Sequence, residues 1–399
     1  MEIFRNTQFD FLGKKWPFIG ASVVLLIAGF VSLGVKGGPR YGIDFRGGAL
    51  MYVKFAGQPP VHVIRQALSA KISGLTVTTI TDTQEALIGT ELKDEKALEQ
   101  ARGTMLQTLA ATFPPPGGKL DFNNAGQEAL VSQLRDGLQR ANVALSEDQL
   151  GKLVGAMLTF RNTPPRSGLI RSFDELAAVP GVTPAVISVL KQECSLAEFA
   201  VRRVEVVGPK VGADLRRQAV LATLYALGGM LVYIAFRFEW IYGVAAVLAV
   251  FHDTLITVGL FSLFNKEIDL TVVAALLTLV GYSMNDTIVV FDRIRENLKI
   301  LKREALGSLI NKSINQTLSR TILTSGLTFL TAVSLLLFGG SVLSGFSFAL
   351  VVGIIVGTYS SIFIASPILV FWQDYLDSRK RKRAATAVAT GRGAARMVR

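Results

Sequence analysis

The 399-residue sequence predicts a polytopic α-helical membrane protein: six transmembrane helices and one α+β ferredoxin-like outer domain with a helical insert. Three observations support this fold class. Half of the residues are hydrophobic. Many of them fall in long uninterrupted runs, and one segment between the first two runs alternates between strand-like and helix-like patterns. We therefore expect a membrane half and a folded domain that builds its own core.

Six apolar runs are long enough to cross the hydrocarbon core as helices, which takes about 20 residues. They lie at about 17–35, 217–236, 241–264, 269–291, 321–338 and 346–371. The first run is too long for a cleaved signal peptide, and no small-residue cleavage site follows it. All six are therefore predicted to remain in the protein.

Lys and Arg predict the orientation, because they concentrate in cytoplasmic loops. Lys14 and Lys15 precede the first run, segment 292–320 is rich in Lys and Arg, and a basic run opens the tail 372–399. We expect residues 1–16 and this tail in the cytoplasm, and domain 36–216 in the periplasm. The net charge of +12 then reflects topology and contact with anionic membrane lipids. It does not indicate nucleic acid binding.

Segment 36–216 contains the order strand, helix, strand, strand, helix, strand, which is the ferredoxin-like pattern. The glycine-rich stretch "YGIDFRGGALMYVKF" opens it, and apolar and polar residues alternate from Ala49 to Phe55. A phosphate-binding loop would place a helix after the glycines. We therefore interpret Gly42, Asp44, Gly47 and Gly48 as a structural motif, a tight turn that leads into a strand.

An insert at about 114–196 separates the second helix from the last strand and begins with "PPPGG". It contains "FDELAAVPGVTPAVISVL", which is typical of a helix–hairpin–helix with Pro180 and Gly181 in the turn. A structural or protein-binding role is favoured over nucleic acid binding for an outer domain. The single cysteine, Cys194, excludes an intramolecular disulfide and is predicted to be a packing residue.

Ionisable residues inside membrane spans are costly and usually face the bundle interior or a water-filled path. Asp286, next to Asn285, lies about 9 Å along the helix from Asp292, given a rise of 1.5 Å per residue. Arg320 opens the fifth span, and the chain reverses between the two. Asp286 and Arg320 are therefore predicted at similar depth, where water access could switch the protonation of the carboxylate. The alternatives are a permanent structural pair, or an Arg320 side chain that reaches the headgroups.

Helical spacing groups the polar residues of both spans. One predicted stripe consists of Thr278, Tyr282, Asn285 and Asp286, and a second consists of Arg320, Thr321, Thr324, Ser325, Thr328 and Thr331.

Asp253 lies near the middle of the third span, where a charge is most costly. It could extend a polar path outward or bond a neighbouring helix, and both readings stay open. His252 beside it is interpreted as a packing or hydrogen-bonding residue. Gly353 and Gly357 form a small face suited to close helix packing.

The basic segment near 293–318 contains interspersed apolar residues, which predicts an amphipathic helix on the inner surface. The sequence has no metal-ligand spacing, no nucleophile–base arrangement and no phosphate loop. An enzyme or a cofactor is therefore not expected.

Several stretches together resemble the SecF family, the membrane subunits of the bacterial protein-export complex SecDF in the RND superfamily. They are "YGIDFRGGALMYVKF", "VRRVEVVGPKVGADLRRQA", "YIAFRFEW", "FHDTLITVGLFSLF", "DLTVVAALLTLVGYSMNDTIVVFDRIREN" and "INQTLSRTILTS". In the family's pattern, the carboxylate of "SxNDT" is Asp286 and the basic residue of "LSRT" is Arg320. The insert departs from the usual pattern.

The resemblance implies an RND half-transporter of the bacterial inner membrane that pairs with SecD. Together the two would use the proton gradient to drive late export of unfolded polypeptides through SecYEG. Asp286 and Arg320, with Asp253, are the expected proton-coupling residues. Two other functions stay open: an RND-type half-transporter for lipids or small molecules, and a passive scaffold for other translocase subunits.

Overall fold

A computed structural model of the chain describes residues 7–80, 84–91, 94–143, 145–237, 240–301 and 303–379. The helices are α1 (Lys15–Val35), α2 (Ile43–Arg46), α3 (Val61–Ser69), α4 (Glu95–Thr112), α5 (Gln127–Arg140), α6 (Glu147–Asn162), α7 (Pro184–Glu193), α8 (Pro209–Arg237), α9 (Trp240–Leu263), α10 (Leu270–Ile300), α11 (Leu306–Phe338) and α12 (Gly340–Ser360). The strands are β1 (Gly48–Phe55), β2 (Leu75–Ile80), β3 (Glu85–Thr90), β4 (Leu120–Asp121), β5 (Cys194–Ser195) and β6 (Phe199–Val207).

The chain divides into two compact units, one formed by Ile43–Arg216 and the other by the residues on either side of it. In the first unit, β1, β2, β3 and β6 form a sheet in the order β2-β3-β1-β6, with every neighbouring pair antiparallel. The predicted ferredoxin-like order is confirmed. The alternation on β1 is correct, since Ala49, Met51, Val53 and Phe55 are all buried.

The glycine motif makes the turn before β1. Gly47 has a φ of +76° and Gly48 a φ of +146°, a region that L side chains rarely adopt. A Cβ on Gly48 would lie 2.4 Å from the carbonyl oxygen of Thr90. Asp44 lies in α2, just before this turn. Only glycine therefore allows β1 to start so close to β3.

The insert forms its own hydrophobic core around α5, α6 and α7. The predicted hairpin is present: a 3₁₀ helix at Phe173–Ala178, then Gly181 with a φ of +89°, then α7. Asn123 is buried and joins two segments of the insert to each other and to Ala197 just before β6, because its amide donates to the carbonyls of Ile170 at 3.1 Å and Ala197 at 3.0 Å. Its oxygen accepts from the Ile170 N–H at 3.1 Å.

Cys194 is 2% exposed, as a packing residue should be. Burial, the largest cause, raises the pKa of its thiol to about 12. The thiol is therefore protonated at neutral pH and chemically quiet.

Among the described residues, six helices are long and apolar enough to cross a membrane, as predicted: Lys15–Val35, Pro209–Ile234, Trp240–Leu263, Leu270–Ile300, Leu306–Phe338 and Val342–Arg379. They lie in the second unit, except that the helix starting at Pro209 begins in the first. A π-helical turn at Ser361–Ala365 follows α12. Gly42, next to the boundary between the units, donates its N–H to the Ile268 carbonyl at 2.9 Å. The basic tail beyond Arg379 lies outside the described residues.

The separate amphipathic helix expected near 293–318 is wrong. α10 continues to Ile300, and α11 begins at Leu306 and runs through the fifth span without a break. A polar network stabilises this hairpin, since the buried Asn297 donates to Ser313 Oγ and to Gln316 Oε1, both at 2.8 Å. The apolar residues that suggested a membrane-surface helix pack in the bundle core instead, among them Leu309 and Ile310.

Candidate functional site

The side chain of Asp286, a residue of α10, is buried at the contact between α10 and α11. Asp269 caps the start of α10 by accepting the Val272 N–H at 2.8 Å, and the helix then runs unbroken past Asp286. The Asp286 side chain is buried, and Ser325 Oγ of α11 donates to its Oδ2 at 2.8 Å. A carboxylate thus sits among apolar helices with one hydroxyl as its hydrogen-bond donor among the described residues.

Arg320 lies on α11 five residues before Ser325 and is exposed. The described residues include no direct ion pair between Arg320 and Asp286. The structure gives the direct contact with Asp286 to Ser325 instead.

Each predicted polar stripe divides into two faces. On α10, Asp286 points inward while Thr278 and Asn285 are exposed. On α11, Thr321 and Ser325 are buried, while the exposed side carries Arg320, Thr324, Thr328 and Thr331. Two apolar helices therefore each present a polar outer face as well as a polar inner one.

Asp253 of α9 is fully buried and bonds a neighbouring helix. Ser283 Oγ of α10 donates to its Oδ2 at 2.6 Å, and His252 Nδ1 lies 2.8 Å from its Oδ1. Ser283 is one helical turn from Asp286, so the two buried carboxylates lie on connected elements. Of the two readings of Asp253, the helix-to-helix hydrogen bond is observed.

Two glycines let α12 pack closely against α10 near these carboxylates. A Cβ on Gly353 would lie 2.3 Å from Leu279 Cδ1, and a Cβ on Gly357 would lie 3.0 Å from Ser283 Cβ. α12 therefore packs closely against α10, as the small-residue spacing predicted. Tyr359, two residues beyond Gly357, hydrogen-bonds through its hydroxyl to Ser22 Oγ of α1 at 2.8 Å.

Sequence reasoning did not identify Ser283, Ser325 or Tyr359 as partners. Ser325 belonged to a predicted polar stripe. Its position in that stripe, five residues after Arg320, was the only feature of the sequence that pointed to it. Ser283 follows Tyr282 inside an apolar run and carries no comparable signal. Within the described part of the chain, no three His, Cys, Asp or Glu residues group in a way that could hold a metal ion.

Comparison with known proteins identifies the relatives of this architecture. The family model "Protein export membrane protein SecD/SecF, C-terminal" matches residues 187–375, and "SecD/SecF GG Motif" matches residues 31–58. The protein translocase subunit SecF of Koribacter versatilis is 50% identical over 392 residues, 95% of both chains. That of Rhodothermus marinus is 50% identical over 398 residues, 98% of this chain and 100% of the relative.

A solved structure is also similar. The crystal structure of SecDF, a translocon-associated membrane protein from Thermus thermophilus, matches with a TM-score of 0.63 and 32% identity. The match covers 92% of this chain and 39% of that chain. The present chain thus spans well under half of the length of the solved protein.

Six membrane helices and one α+β domain, with matches to both SecD/SecF models, define a multi-pass inner-membrane protein of the protein-export class. Within that class, the chain belongs to the SecF family of protein translocase subunits.

Proposed function

We propose that the chain is an auxiliary subunit of the Sec translocase that, with SecD, couples the proton motive force to late steps of protein export. The observation that carries the proposal is the Asp286 carboxylate, buried between two membrane helices with Ser325 as its direct donor. A buried carboxylate in a membrane span is a functional candidate by default, because desolvation of its charged form is so costly. Gain or loss of a proton there changes how α10 and α11 attract each other.

The surroundings of Asp286 favour a proton over a sodium ion. Transporters that bind sodium surround it with several oxygens, often from unwound backbone carbonyls of broken helices. α10 and α11 are unbroken around Asp286 and Ser325, so their carbonyls there are used within the helices. One carboxylate and one hydroxyl suit proton binding better than cation coordination. No cofactor beyond the proton gradient is needed.

SecD is the proposed membrane partner. Relatives include SecDF proteins that are one long chain; the Thermus thermophilus SecDF is 53% identical over 180 residues, 24% of its length. The exposed polar faces of α10 and α11, which include Asn285 and Arg320, would be costly against lipid. A second half-transporter packed on these faces would cover them and place Arg320 next to the partner's own polar groups. SecYEG and the unfolded exported polypeptide complete the proposed set of partners.

The orientation in the membrane is part of the proposal. The Lys and Arg distribution supports cytoplasmic termini and a periplasmic domain 36–216, with the basic tail 372–399 against anionic lipid. Asp286 then lies in the inner half of the bilayer.

The proposal is tested by Asp286→Asn in membrane vesicles that contain SecD and the translocase. We expect loss of the export stimulated by a proton gradient, with unchanged abundance and unchanged co-purification with SecD. Asp374→Asn, the same change at an exposed position of the last helix, is the matched control. Full stimulation in Asp286→Asn would remove the proton-site assignment, and would leave a passive scaffold as the better function.

A further inference from the structure

Residues 7–12, which we call the strap, precede α1 and are bound to the N-terminal part of α11. The N–H of Phe9 donates to Asn315 Oδ1 at 2.9 Å, and Asn315 Nδ2 donates back to the Phe9 carbonyl at 2.9 Å. The N–H of Phe11 donates to Asn311 Oδ1 at 2.8 Å. Two side-chain amides on one helix thus bind the main chain of a segment from a distant part of the sequence.

The spacing of the two amides fits an extended segment. Asn311 and Asn315 are about 6 Å apart along the axis of α11 at 1.5 Å per residue. Phe9 and Phe11 are about 6.6 Å apart in an extended chain at 3.3 Å per residue. Because Phe9 pairs with Asn315 and Phe11 with Asn311, the strap runs antiparallel to α11. Asparagine is a poor helix former, and both asparagines inside α11 bind the strap.

The strap joins α11 to the π-helical turn after α12. The Phe11 ring packs edge-on against Phe363 of this turn, with the ring centroids 5.9 Å apart. Leu12 is 9% exposed and belongs to the same hydrophobic core as Leu309 and Ile310 of α11. Hydrogen bonds weaken within a few tenths of an ångström of their preferred length. A shift of α11 along its axis relative to the π-helical turn therefore breaks the contacts on one side of the strap.

The contacts of the strap are suited to release. Both bonds between Phe9 and Asn315 are exposed to solvent, and the Phe9 side chain is itself 54% exposed. Within residues 7–12, all of which the structure describes, Leu12 is the one buried residue. Segments with exposed main-chain hydrogen bonds and few buried apolar side chains open locally at low cost in free energy. The strap can therefore leave α11 while the rest of the bundle stays folded.

We propose that the strap controls the movement of α11: bound, it holds α11 to the π-helical turn, and released, it lets α11 move on α10. Ser325, which binds Asp286, lies about 15 Å along the axis of the same unbroken helix from Asn315. A movement of α11 that follows proton exchange at Asp286 therefore reaches the two asparagines, and it completes only when the strap releases. The inference rests on the proposed proton coupling at Asp286 and adds the segment that restrains the resulting movement.

Release of the strap is measured by cysteine accessibility in the full chain together with SecD, in lipid nanodiscs that leave both membrane faces accessible. Leu12→Cys is treated with a hydrophilic maleimide, with and without the pair Asn311→Ala and Asn315→Ala. We expect labelling to be roughly tenfold faster or more without the amides, because three hydrogen bonds are lost. Ile294→Cys, buried in the same core on α10, is the matched control and should keep its rate. Phe11→Cys replaces Leu12→Cys if that variant does not assemble.

The need for release is tested by fixing the strap in place. Phe9→Cys and Asn315→Cys are joined by a short bifunctional maleimide in vesicles that contain SecD and the translocase. Phe9→Cys alone, treated with the same reagent, is the control, because the Phe9 side chain is exposed and Asn315 stays intact. The native Cys194 is buried and common to both chains. We expect the joined chain to lose gradient-stimulated export and the control to keep it.

Equal labelling of Leu12→Cys with and without the two amides overturns the proposal, as does the same acceleration at Ile294→Cys, which would show general loosening of the bundle. Full export by the joined chain also overturns it. These outcomes are separable from the proposed function. If Asp286→Asn is inactive and the joined chain exports normally, the strap proposal alone fails. If the joined chain is inactive and Asp286→Asn exports normally, the proton site fails.

Discussion

Replacing Ser283 with alanine should weaken the contact between α9 and α10. The hydroxyl donates to Asp253 Oδ2 at 2.6 Å, and Asp253 is fully buried. Alanine keeps the Cβ that packs against Gly357, so the change removes the hydrogen bond alone. Hydrogen bonds between membrane helices contribute roughly 0.6 kcal/mol on average and up to about 1.7 kcal/mol.

This bond should be near the upper end of that range, because it is short and its acceptor is a carboxylate. We expect a loss of about 1.5 kcal/mol, close to a tenfold change in the unfolding equilibrium constant. The assay is unfolding of the purified chain in mixed micelles, titrated with denaturing detergent and followed by circular dichroism. In an Asp253→Ala background, which lacks the acceptor, the loss caused by Ser283→Ala should largely disappear, and the difference isolates the pairwise contribution.

Ser366→Ala is the matched control, because the Ser366 hydroxyl is also buried but donates at 2.8 Å to Ser361 in its own helical segment. If Ser283→Ala destabilises the chain no more than Ser366→Ala does, the contact between α9 and α10 does not depend on this bond.

Three further predictions concern other parts of the chain. Cys194 should resist a maleimide at pH 8 in the native chain and react rapidly after denaturation, because its pKa of about 12 keeps the thiol protonated; rapid native labelling would contradict its burial. Asn123→Ala removes three hydrogen bonds and should cost roughly 2–4 kcal/mol at about 1 kcal/mol each, seen as faster proteolysis of the insert. Unchanged proteolysis would show that these bonds do not stabilise the insert. Gly259→Ala should lower the free energy of unfolding by about 1–3 kcal/mol, measured by thermal denaturation, since its Cβ would lie 2.9 Å from the Gly29 Cα. Gly20→Ala, with open space around it, should leave the stability unchanged.

Local sequence patterns were sufficient to predict most of the fold. The alternation of apolar and polar residues predicted the buried face of β1, and the length of the apolar runs predicted six membrane helices. Both features depend only on residues that are neighbours in the sequence. The pair Gly353 and Gly357 likewise predicted close helix packing from spacing alone.

The site was only partly predictable. Helical spacing placed Ser325 and Arg320 on one broad stripe, yet a stripe does not say which edge faces the bundle. That choice depends on how α10 and α11 cross, which is set by non-local contacts. The same reason explains the missing surface helix: the Asn297 side chain bonds across to Ser313, and this contact between two helices is absent from any single window of sequence.

The most direct test measures proton movement itself. The chain and SecD are reconstituted into liposomes with a pH-sensitive dye inside, and a pH gradient is imposed. We predict proton entry with the native chain and with Asp374→Asn, and none above empty liposomes with Asp286→Asn. Equal proton entry with Asp286→Asn and with the native chain would contradict a proton site at Asp286.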